Sequence, residues 1–294
     1  MKPAGERRAA WLLLSPALGA ILLFFALPLV AALFLSLTDF DIYAVADLHN
    51  ARFVGLGNYV RLLRDPLFWK VLRNTVVFVV IGVPLTIAIA LGGALLVNSK
   101  LARLPGLFRT IFYAPVVTTL VAVAVVFRYL YHPRYGLINQ ALGLFGLPAI
   151  DWLGNPMWAT VAITLLAVWR SFGYALVIYV AGLQTIPESL YEAARLDGAG
   201  PWRQLKDITL PLLLPTTLFV AVLTTVSLFQ IFAEPYVMTR GGPLYATTSI
   251  TLLMYQQGFR WWNLGGAAAV AFVLFALIIA ATGLQVLLRR MRKA

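Results

Sequence analysis

Long apolar stretches alternate with short polar segments along this chain of 294 residues. Six stretches are close to, or longer than, the roughly 20 apolar residues that a helix needs to cross a bilayer. A backbone in lipid must satisfy its own hydrogen bonds, so each stretch is predicted to be a helix rather than part of a β-barrel, whose segments alternate. The predicted spans are residues 10–37, 71–97, 108–130, 157–183, 211–232 and 264–288.

The segments between the spans carry no sign of a soluble domain, a linker or a low-complexity tract. Residues 98–107 form a short turn and residues 184–210 a charged hairpin. The other three segments are rich in Gly, Pro and aromatic residues: 39–70, 131–156 and 233–263. The composition is 61% hydrophobic with a mean hydropathy of +0.87, more apolar surface than a soluble domain of this size could hide. Residues 1–294 are therefore predicted to form one all-α transmembrane domain.

Positive charge is distributed unevenly between the two predicted sides. The net charge is +12, and 13 of the 23 Lys and Arg residues fall on one side, nine on the other and Arg170 within a span. The richer side carries Lys2, Arg7, Arg8, Lys100, Arg103, Arg109, Arg195, Arg203, Lys206, Arg289, Arg290, Arg292 and Lys293. The positive-inside rule makes that side cytoplasmic and places both termini inside. The charge is explained by topology and by contact with membrane lipid, and it does not indicate nucleic-acid binding.

Two shorter segments on the outer side are predicted to be helical without spanning. The stretch NYVRLLRDPLFWKVLRN (58–74) has the pattern of an amphipathic helix lying at the interface, with Phe68 and Trp69 as anchors. The stretch LYATTSITLLMYQQGF (244–259) is too short and too polar to span, and is interpreted as a re-entrant or interfacial helix.

The charged hairpin has its own start and stop signals. Thr185 and Glu188 have capping-box spacing, so a helix is expected to begin there and to run to Leu196. Gly198 then provides a C-terminal stop, and Gly200-Pro201 restarts a second short helix. The small Ala193 and Ala194 would let a partner approach the backbone closely, and Glu192 could anchor it electrostatically. By these residues alone, the hairpin is either a docking knob or merely a capped connection.

The same stretch, EAARLDGAGPWRQLKDITLP (192–211), resembles the coupling motif of ABC importer permeases. That motif is EAA, three residues, Gly, nine residues, Ile, one residue and Leu-Pro, and every fixed position and spacing matches. In such permeases the hairpin docks in a groove of a separate ATPase. The resemblance assigns ATPase coupling to Glu192, Ala193, Ala194, Asp197 and Gly198.

Further stretches resemble the binding-protein-dependent sugar permeases of the maltose, lactose and glycerol-phosphate type. They are FVGLGNYVRLLRDPLFWKVLRNT (53–75), GLINQAL (136–142), AGLQTIPESLYEAARLDGA (181–199) and FAEPYVMTRGGP (232–243). The resemblance implies a type I ABC importer permease fold in a bacterial inner membrane. It also implies a second, similar permease subunit, an ATP-binding cassette ATPase dimer and an external solute-binding protein as partners.

Several classes of function lack their residues in this sequence. None of the five lysines follows a glycine, so there is no P-loop, and ATP with its Mg²⁺ is expected on the partner ATPase. All eleven acids lie in loops or at span edges, which argues against an ion-coupled carrier. There are no cysteines, and no carboxylate pair, metal cluster or nucleophile–base pair can be placed in a shared pocket. The chain is therefore predicted to be a transport subunit, not an enzyme, with no cofactor or metal of its own.

Polar residues in two spans are candidates for the solute path. In span five, Thr224, Ser227 and Gln230 recur every three residues and lie near one face. In span four, the polar group includes Arg170, Ser171 and Tyr174. By position, the resemblance to sugar permeases favours Ser171, Tyr174, Thr224 and Ser227 as solute contacts. Hydrogen bonding between helices is the alternative for the residues of span five.

Arg170 lies near the middle of its span, where an arginine costs about 2.5–3.5 kcal/mol on insertion scales. It is therefore expected to face protein or a wet cavity, either as a structural partner or as part of the path, and Glu234 is a possible partner. Leu228 and Ile231 depart from the maltose-type pattern, which has polar amides at these positions. Either the solute site has fewer polar contacts in this chain, or the second permease supplies more of these contacts.

The sequence thus predicts a permease subunit that forms, with a second permease, the path for a sugar or sugar derivative. The energy would come from the partner ATPase, and the solute would come from the external binding protein. One alternative is an ABC importer permease for another polar solute. A second, from a different class, is an ion-coupled secondary transporter.

Overall fold

The computed structural model describes residues 4–98 and 105–291, and it is helical nearly throughout. The α-helices are α1 (Ala4–Ile21), α2 (Leu27–Ser36), α3 (Ile42–Ala46), α4 (Gly57–Arg64), α5 (Pro66–Asn98), α6 (Pro105–Val117), α7 (Leu120–Leu130), α8 (Leu137–Leu144), α9 (Pro156–Gln184), α10 (Glu188–Leu196), α11 (Pro201–Gln204), α12 (Leu210–Leu212), α13 (Leu214–Phe229), α14 (Ala233–Thr239), α15 (Ile250–Tyr255) and α16 (Leu264–Met291). Shorter helical turns are Leu22–Ala26, Leu205–Thr209 and Gln256–Arg260, which are π-helical, and the 3-10 turn Leu48–Asn50. The predicted all-α class is confirmed.

Four helices are long and apolar enough to cross a membrane as single rods. They are Trp11–Ser36, Pro66–Asn98, Pro156–Gln184 and Leu264–Arg289. They match the first, second, fourth and sixth predicted spans. Two further pairs, Ile111–Val117 with Leu120–Leu130 and Pro201–Leu212 with Leu214–Phe229, pass the same test only together, so the described chain has four spans, or six if each bent pair counts as one.

The third predicted span, 108–130, is not a single rod. Helices α6 and α7 meet at a bend of 113°. Thr119 takes an extended backbone conformation (φ −66°, ψ 126°), which ends the helical hydrogen-bond ladder. The hydroxyl of Thr118 donates to the carbonyl of Pro115 at 2.9 Å, so that this carbonyl keeps a partner at the break. Thr118 and Thr119 lower the hydropathy of the predicted span only slightly, yet they lie at a sharp turn of the chain.

The fifth predicted span, 211–232, is bent as well. The segment Pro201–Leu212 meets α13 at 63°. Pro215, in the first turn of α13, has no N–H to donate to the preceding turn, and Leu213 between the two segments is in a turn. The chain consequently changes direction where the hairpin joins the membrane helix.

The structure divides into two compact units, the first comprising the described residues up to Pro66 together with Leu253–Val273. Asn58 organises this unit, since its side-chain amide donates to the carbonyls of Ser36 at 2.8 Å and Thr38 at 2.7 Å. A backbone hydrogen bond joins the two chain segments of this unit: the amide of Gly265 donates to the carbonyl of Phe40 at 2.9 Å. A Cβ on Gly265 would meet the carbonyl oxygen of Thr38, so only glycine allows this approach.

The second unit, Leu67–Leu252 with the chain from Leu274, contains two apolar clusters along α5, α9 and α13. One cluster is built around Phe78, Ile163 and Leu228, and the other around Leu176 and Tyr179. Helix α6 packs closely on α9 because Gly173 leaves room there; a Cβ at that position would clash with the carbonyl oxygen of Phe112. That residues 1–294 form a single transmembrane domain stays a prediction.

The predicted interfacial helix over 58–74 is wrong as a single element. Helix α4 ends at Arg64, Asp65 is extended (φ −77°, ψ 117°), and Pro66 begins α5. The residue before a proline is disfavoured in the helical region, which explains the break. Phe68 is 1% exposed and belongs to the protein core, whereas Trp69 is 53% exposed. Of the two proposed anchors, only Trp69 has a side chain that lipid can reach.

The segment predicted as re-entrant, 244–259, contains only the six residues of α15 and the π-turn after it. Its leading residues Thr247, Thr248 and Ser249 are fully buried. The amide of Ile250 donates to Oγ1 of Thr75 at 3.0 Å, which fastens the segment to α5. A helix of this length cannot cross a bilayer, as the sequence predicted.

The segment 131–156 folds over α8 and is held by one buried amide. Nδ2 of Asn139 donates to the carbonyls of Pro133 at 3.0 Å and Ile150 at 2.8 Å. Its Oδ1 accepts from the amide of Ile150 at 3.2 Å and from Nε1 of Trp152 at 2.9 Å. Tyr131, the first residue of this segment, is buried against Trp152, and burial raises the pKa of its hydroxyl to about 12.

Candidate functional site

The charged hairpin, residues 184–210, contains α10, α11 and the π-turn Leu205–Thr209. The predicted capping box is wrong. Pro187 is the N-cap of α10 and has no side chain that can cap it, while the hydroxyl of Thr185 donates back to the carbonyl of Gly182 at 2.8 Å. Thr185 therefore closes the end of α9 instead of opening α10. The second helix does begin at Pro201, as predicted.

Gly198 ends α10 in a left-handed conformation, with φ +76°. The amide of Ala199 donates to the carbonyl of Ala194 at 2.8 Å, and the amide of Gly198 donates to the carbonyl of Arg195 at 3.1 Å. This pair of bonds is a Schellman motif, in which glycine avoids the Cβ clash of positive φ. No atom lies within 4 Å of a Cβ built on Gly198, so its requirement is conformational. The predicted glycine stop is confirmed.

The five coupling candidates lie on this first helix and its end. Glu192, Ala193, Asp197 and Gly198 are exposed, and Ala194 is half-buried. Sequence reasoning did not single out two apolar neighbours, Leu196 at 89% and Trp202 at 76% exposure. Large apolar side chains left in solvent mark interaction surfaces when they cluster, and a tryptophan on an otherwise polar turn could have been noticed as such a signal.

The two arms of the hairpin are tied together by hydroxyl groups. The hydroxyls of Tyr191 on α10 and Thr209 on the π-turn are 2.9 Å apart, and Thr209 is buried. Nε2 of Gln204 donates to the carbonyl of Ala199 at 2.8 Å across the turn. The hairpin is consequently one braced element between α9 and α13.

Two cavities lie between α9 and α13, the helices that this hairpin joins. The inner cavity has a volume of about 280 Å³ and extends along α9 towards the hairpin end, as far as Ile178. The outer cavity has a volume of about 260 Å³ and extends past α13 to Glu234. Both are lined by Arg170, Ser171 and Ser227, so these three residues border both cavities.

The structure brings the six predicted path residues together around these cavities. Tyr174 and Thr224 line the inner cavity, and Gln230 lines the outer one. Tyr174 is 50% exposed, so that its ring is open to a cavity occupant. Contact of these residues with a solute remains a prediction. Hydrogen bonding between helices is seen at the neighbouring Thr225, whose Oγ1 accepts from Nε2 of Gln285 at 2.7 Å.

Arg170 has Glu234 as a partner. Nη1 of Arg170 lies 3.9 Å from Oε1 of Glu234, and the side chains are 39% and 7% exposed, respectively. Glu234 belongs to α14, beyond the last residue of α13. Burial raises the pKa of its carboxyl, and the Arg170 guanidinium opposes that shift. The arginine therefore faces protein and a cavity, as the cost of an arginine in lipid requires.

Leu228 and Ile231, the two departures from the maltose-type pattern, belong to an apolar cluster. They are 2% and 4% exposed, and both border the outer cavity. Leu228 also packs against Gly82 of α5, where a Cβ would come within 2.6 Å of its Cδ1 atom. Their apolar character is thus explained by helix packing in this chain.

Three features together define a membrane permease: helices able to cross a membrane, cavities with polar residues in their linings between two of these helices, and a projecting hairpin that joins the same two helices. The chain belongs to the family of binding-protein-dependent transport system inner membrane components, whose model matches residues 98–293. It is thus a permease component of a multi-pass inner-membrane transport system.

Three relatives are similar over almost their whole length. The lactose transport system permease protein LacF of Rhizobium radiobacter is 37% identical, over 96% of this chain and 94% of its own. The sulfoquinovosyl glycerol transport system permease protein SmoG of Agrobacterium fabrum is 36% identical, over 95% and 89%. The trehalose/maltose transport system permease protein MalF of Thermococcus litoralis is 34% identical, over 98% and 96%.

Solved structures share the fold. A chain of a bacterial alginate ABC transporter, in complex with an alginate pentasaccharide-bound periplasmic protein, superposes with a TM-score of 0.80 at 21% identity, covering 97% of this chain and 96% of that one. A second structure of a bacterial ABC transporter for alginate import gives a TM-score of 0.80 at 22% identity, covering 98% of both chains. The predicted ABC importer permease fold is confirmed.

Proposed function

We propose that this chain and a second, similar permease form the path by which a sugar or sugar derivative enters the cell. The solute would be delivered by an external solute-binding protein. Three relatives named for lactose, sulfoquinovosyl glycerol and trehalose/maltose transport support the sugar class. One observation carries the mechanism: the hairpin joins α9 and α13, and both cavities lie between these helices.

The hairpin is proposed to dock on a partner ATPase through Glu192, Ala193, Ala194, Asp197 and Gly198. ATP and Mg²⁺ would be bound by that ATPase, and this chain would have no enzymatic activity of its own. A short, braced element transmits displacement because its ends are continuous with the cavity walls. Movement of the docked hairpin would consequently move α9 against α13 and change which cavity is open.

Reconstitution in lipid vesicles tests this proposal. The complex would contain this chain, its partner permease, the ATPase and the binding protein, and it would be offered radiolabelled lactose, maltose and trehalose separately. We expect uptake of at least one sugar. This uptake should require ATP on the side of the membrane where the ATPase is bound, and binding protein on the opposite side. This chain purified without ATPase subunits should neither bind nor hydrolyse ATP, and turnover by it would refute the division of labour.

The same experiment separates the alternatives. Uptake of a polar solute other than a sugar, with the same ATP requirement, would retain the importer and replace the solute class. Uptake driven by a proton or sodium gradient in the absence of ATP would instead identify an ion-coupled transporter. In the second case, Gly198→Asp should leave uptake unaffected, because the hairpin would have no ATPase to couple.

A further inference from the structure

Arg170 and Glu234 lie at the boundary between the inner and outer cavities. Arg170 lines both cavities, whereas Glu234 lines only the outer one. A solute in either cavity would therefore lie beside the guanidinium. The ion pair consequently lies at the edge that the linings of the two cavities share.

The contact between the two groups is loose. Its 3.9 Å separation exceeds the 2.7–3.2 Å of an N–H···O hydrogen bond, so the pair is held by charge without a short bond. In addition, Nε of Arg170 is buried and has no hydrogen-bond partner. Buried donors are normally paired, and a donor left open beside a cavity is available to an acceptor that enters it.

The chemistry around the guanidinium suits a polyhydroxylated ring. Arginine presents five N–H donors in a fixed plane and can bond two neighbouring oxygens at once. Ser171 and Ser227 add hydroxyls that donate and accept at the same level. Tyr174 supplies a half-exposed aromatic ring in the inner cavity. Donors, hydroxyls and an aromatic face together match neighbouring sugar hydroxyls.

We propose that Arg170 is a solute-binding residue at the cavity boundary and that Glu234 is its displaceable counter-ion. Neighbouring hydroxyls of a polyhydroxylated solute replace the carboxylate at the guanidinium, and the ion pair separates as the solute passes. This inference rests on the proposed function of the chain as a permease. The competing role is purely structural, with Arg170 neutralising a buried carboxylate.

A double-mutant cycle distinguishes the two roles. Arg170→Gln, Glu234→Gln and the double variant are each assembled into the full complex, and uptake is measured with whichever of lactose, maltose and trehalose the wild type transports. Loss of charged hydrogen bonds to the solute should lower uptake by about tenfold or more in Arg170→Gln. Glu234→Gln should retain most uptake, because the guanidinium is still present. The double variant should match Arg170→Gln within about twofold.

The structural role gives the opposite pattern. Both single variants would then be damaging, because each leaves one charge without its partner, and the double variant would recover wild-type uptake. That recovery would overturn the inference while leaving the permease function intact. If the wild-type complex takes up no sugar or sugar derivative in an ATP-dependent manner, the proposed function fails instead, so the two failures are distinguishable.

Two further variants are needed, one as a control for effects of substitution on assembly and one to test whether a positive charge alone is sufficient. Arg134→Gln changes an exposed arginine that lines neither cavity and serves as the matched control. Arg170→Lys keeps the charge beside Glu234 but replaces the planar fork by a point charge. Our inference expects Arg170→Lys to lose uptake nearly as strongly as Arg170→Gln, even if Arg170→Gln assembles poorly. Wild-type uptake by Arg170→Lys would show that a positive charge alone supports uptake, and it would contradict hydrogen bonding of the solute by the planar guanidinium.

Discussion

The hydroxyl of Tyr191 lies 2.9 Å from Oγ1 of Thr209 and joins the two arms of the hairpin. Oγ1 of Thr209 also lies 3.3 Å from the carbonyl of Gln204, to which it can only donate. When Thr209 donates to this carbonyl, Tyr191 is the donor to Oγ1 of Thr209. The bond fastens α10 to the π-turn that leads into the membrane, so the arms cannot move independently while it is intact.

Tyr191→Phe should loosen this brace without altering the docking residues. A hydrogen bond of this kind contributes about 0.5–1.5 kcal/mol to stability. We expect a small decrease in the thermal stability of the purified chain and fewer sugar molecules taken up per ATP hydrolysed. A cycle with Thr209→Val measures the contact itself, and Tyr129→Phe on α7 is the control. Strict additivity of the two substitutions would mean that the brace contributes nothing.

Gly198→Asp should weaken ATPase binding or uncouple hydrolysis from uptake. A non-glycine residue at φ +76° costs roughly 1 kcal/mol or more, and its side chain would project from the docking surface. The matched control is Gly200→Asp, because Gly200 caps α11 with an ordinary φ of −68°, where aspartate is a favourable N-cap. We expect the control to retain coupling, measured as sugar-stimulated ATP hydrolysis beside uptake.

Glu192→Lys tests the electrostatic part of the same surface. Glu192 is exposed, so reversing its charge should leave folding and membrane insertion unchanged while weakening attachment to the ATPase. Solute preference should stay the same, since Glu192 lines neither cavity. If both Glu192→Lys and Gly198→Asp kept normal subunit stoichiometry, stimulation and uptake, the hairpin would be only a connection.

The orientation of the chain can be measured with single cysteines, because the native sequence has none. Ser189 on α10 and Leu144 at the end of α8 are both exposed, Leu144 at 86%. The Lys and Arg distribution predicts that Ser189→Cys is labelled only from the cytoplasm and Leu144→Cys only from outside. The reverse pattern would place the hairpin out of reach of any cytoplasmic ATPase.

Asn139→Leu should destabilise the segment 131–156. The substitution leaves the amide of Ile150 and Nε1 of Trp152 without the acceptor they now share. Each buried group that loses its partner costs about 1–3 kcal/mol. We expect a lower melting temperature and faster proteolysis within this segment, whereas Gln140→Leu, at an exposed neighbouring position, should change little. Equal stability of the two variants would contradict this account.

Local patterns in the sequence determined the elements that depend on local physics. Hydropathy located the spans, because lipid requires about 20 apolar residues per crossing wherever they occur. The Gly198 stop followed from the left-handed conformation that glycine tolerates best. Polar residue type, position within two spans and the resemblance to sugar permeases together gave the six path candidates, and the structure places all of them in the linings of two cavities.

Tertiary structure decided what lies between the elements. Hydropathy scores Thr119 and Pro215 as minor interruptions, but the bends beside them turn two spans sharply, by 113° and 63°. The capping-box spacing of Thr185 and Glu188 was correct in sequence, yet the Thr185 hydroxyl turned back to α9. The pairing of Arg170 with Glu234 depends on how α14 folds back beside α9. The spacing of the two residues along the chain does not determine whether they lie at the same depth in the membrane. Packing between helices sets such contacts, because it fixes the rotation and depth of every side chain at once.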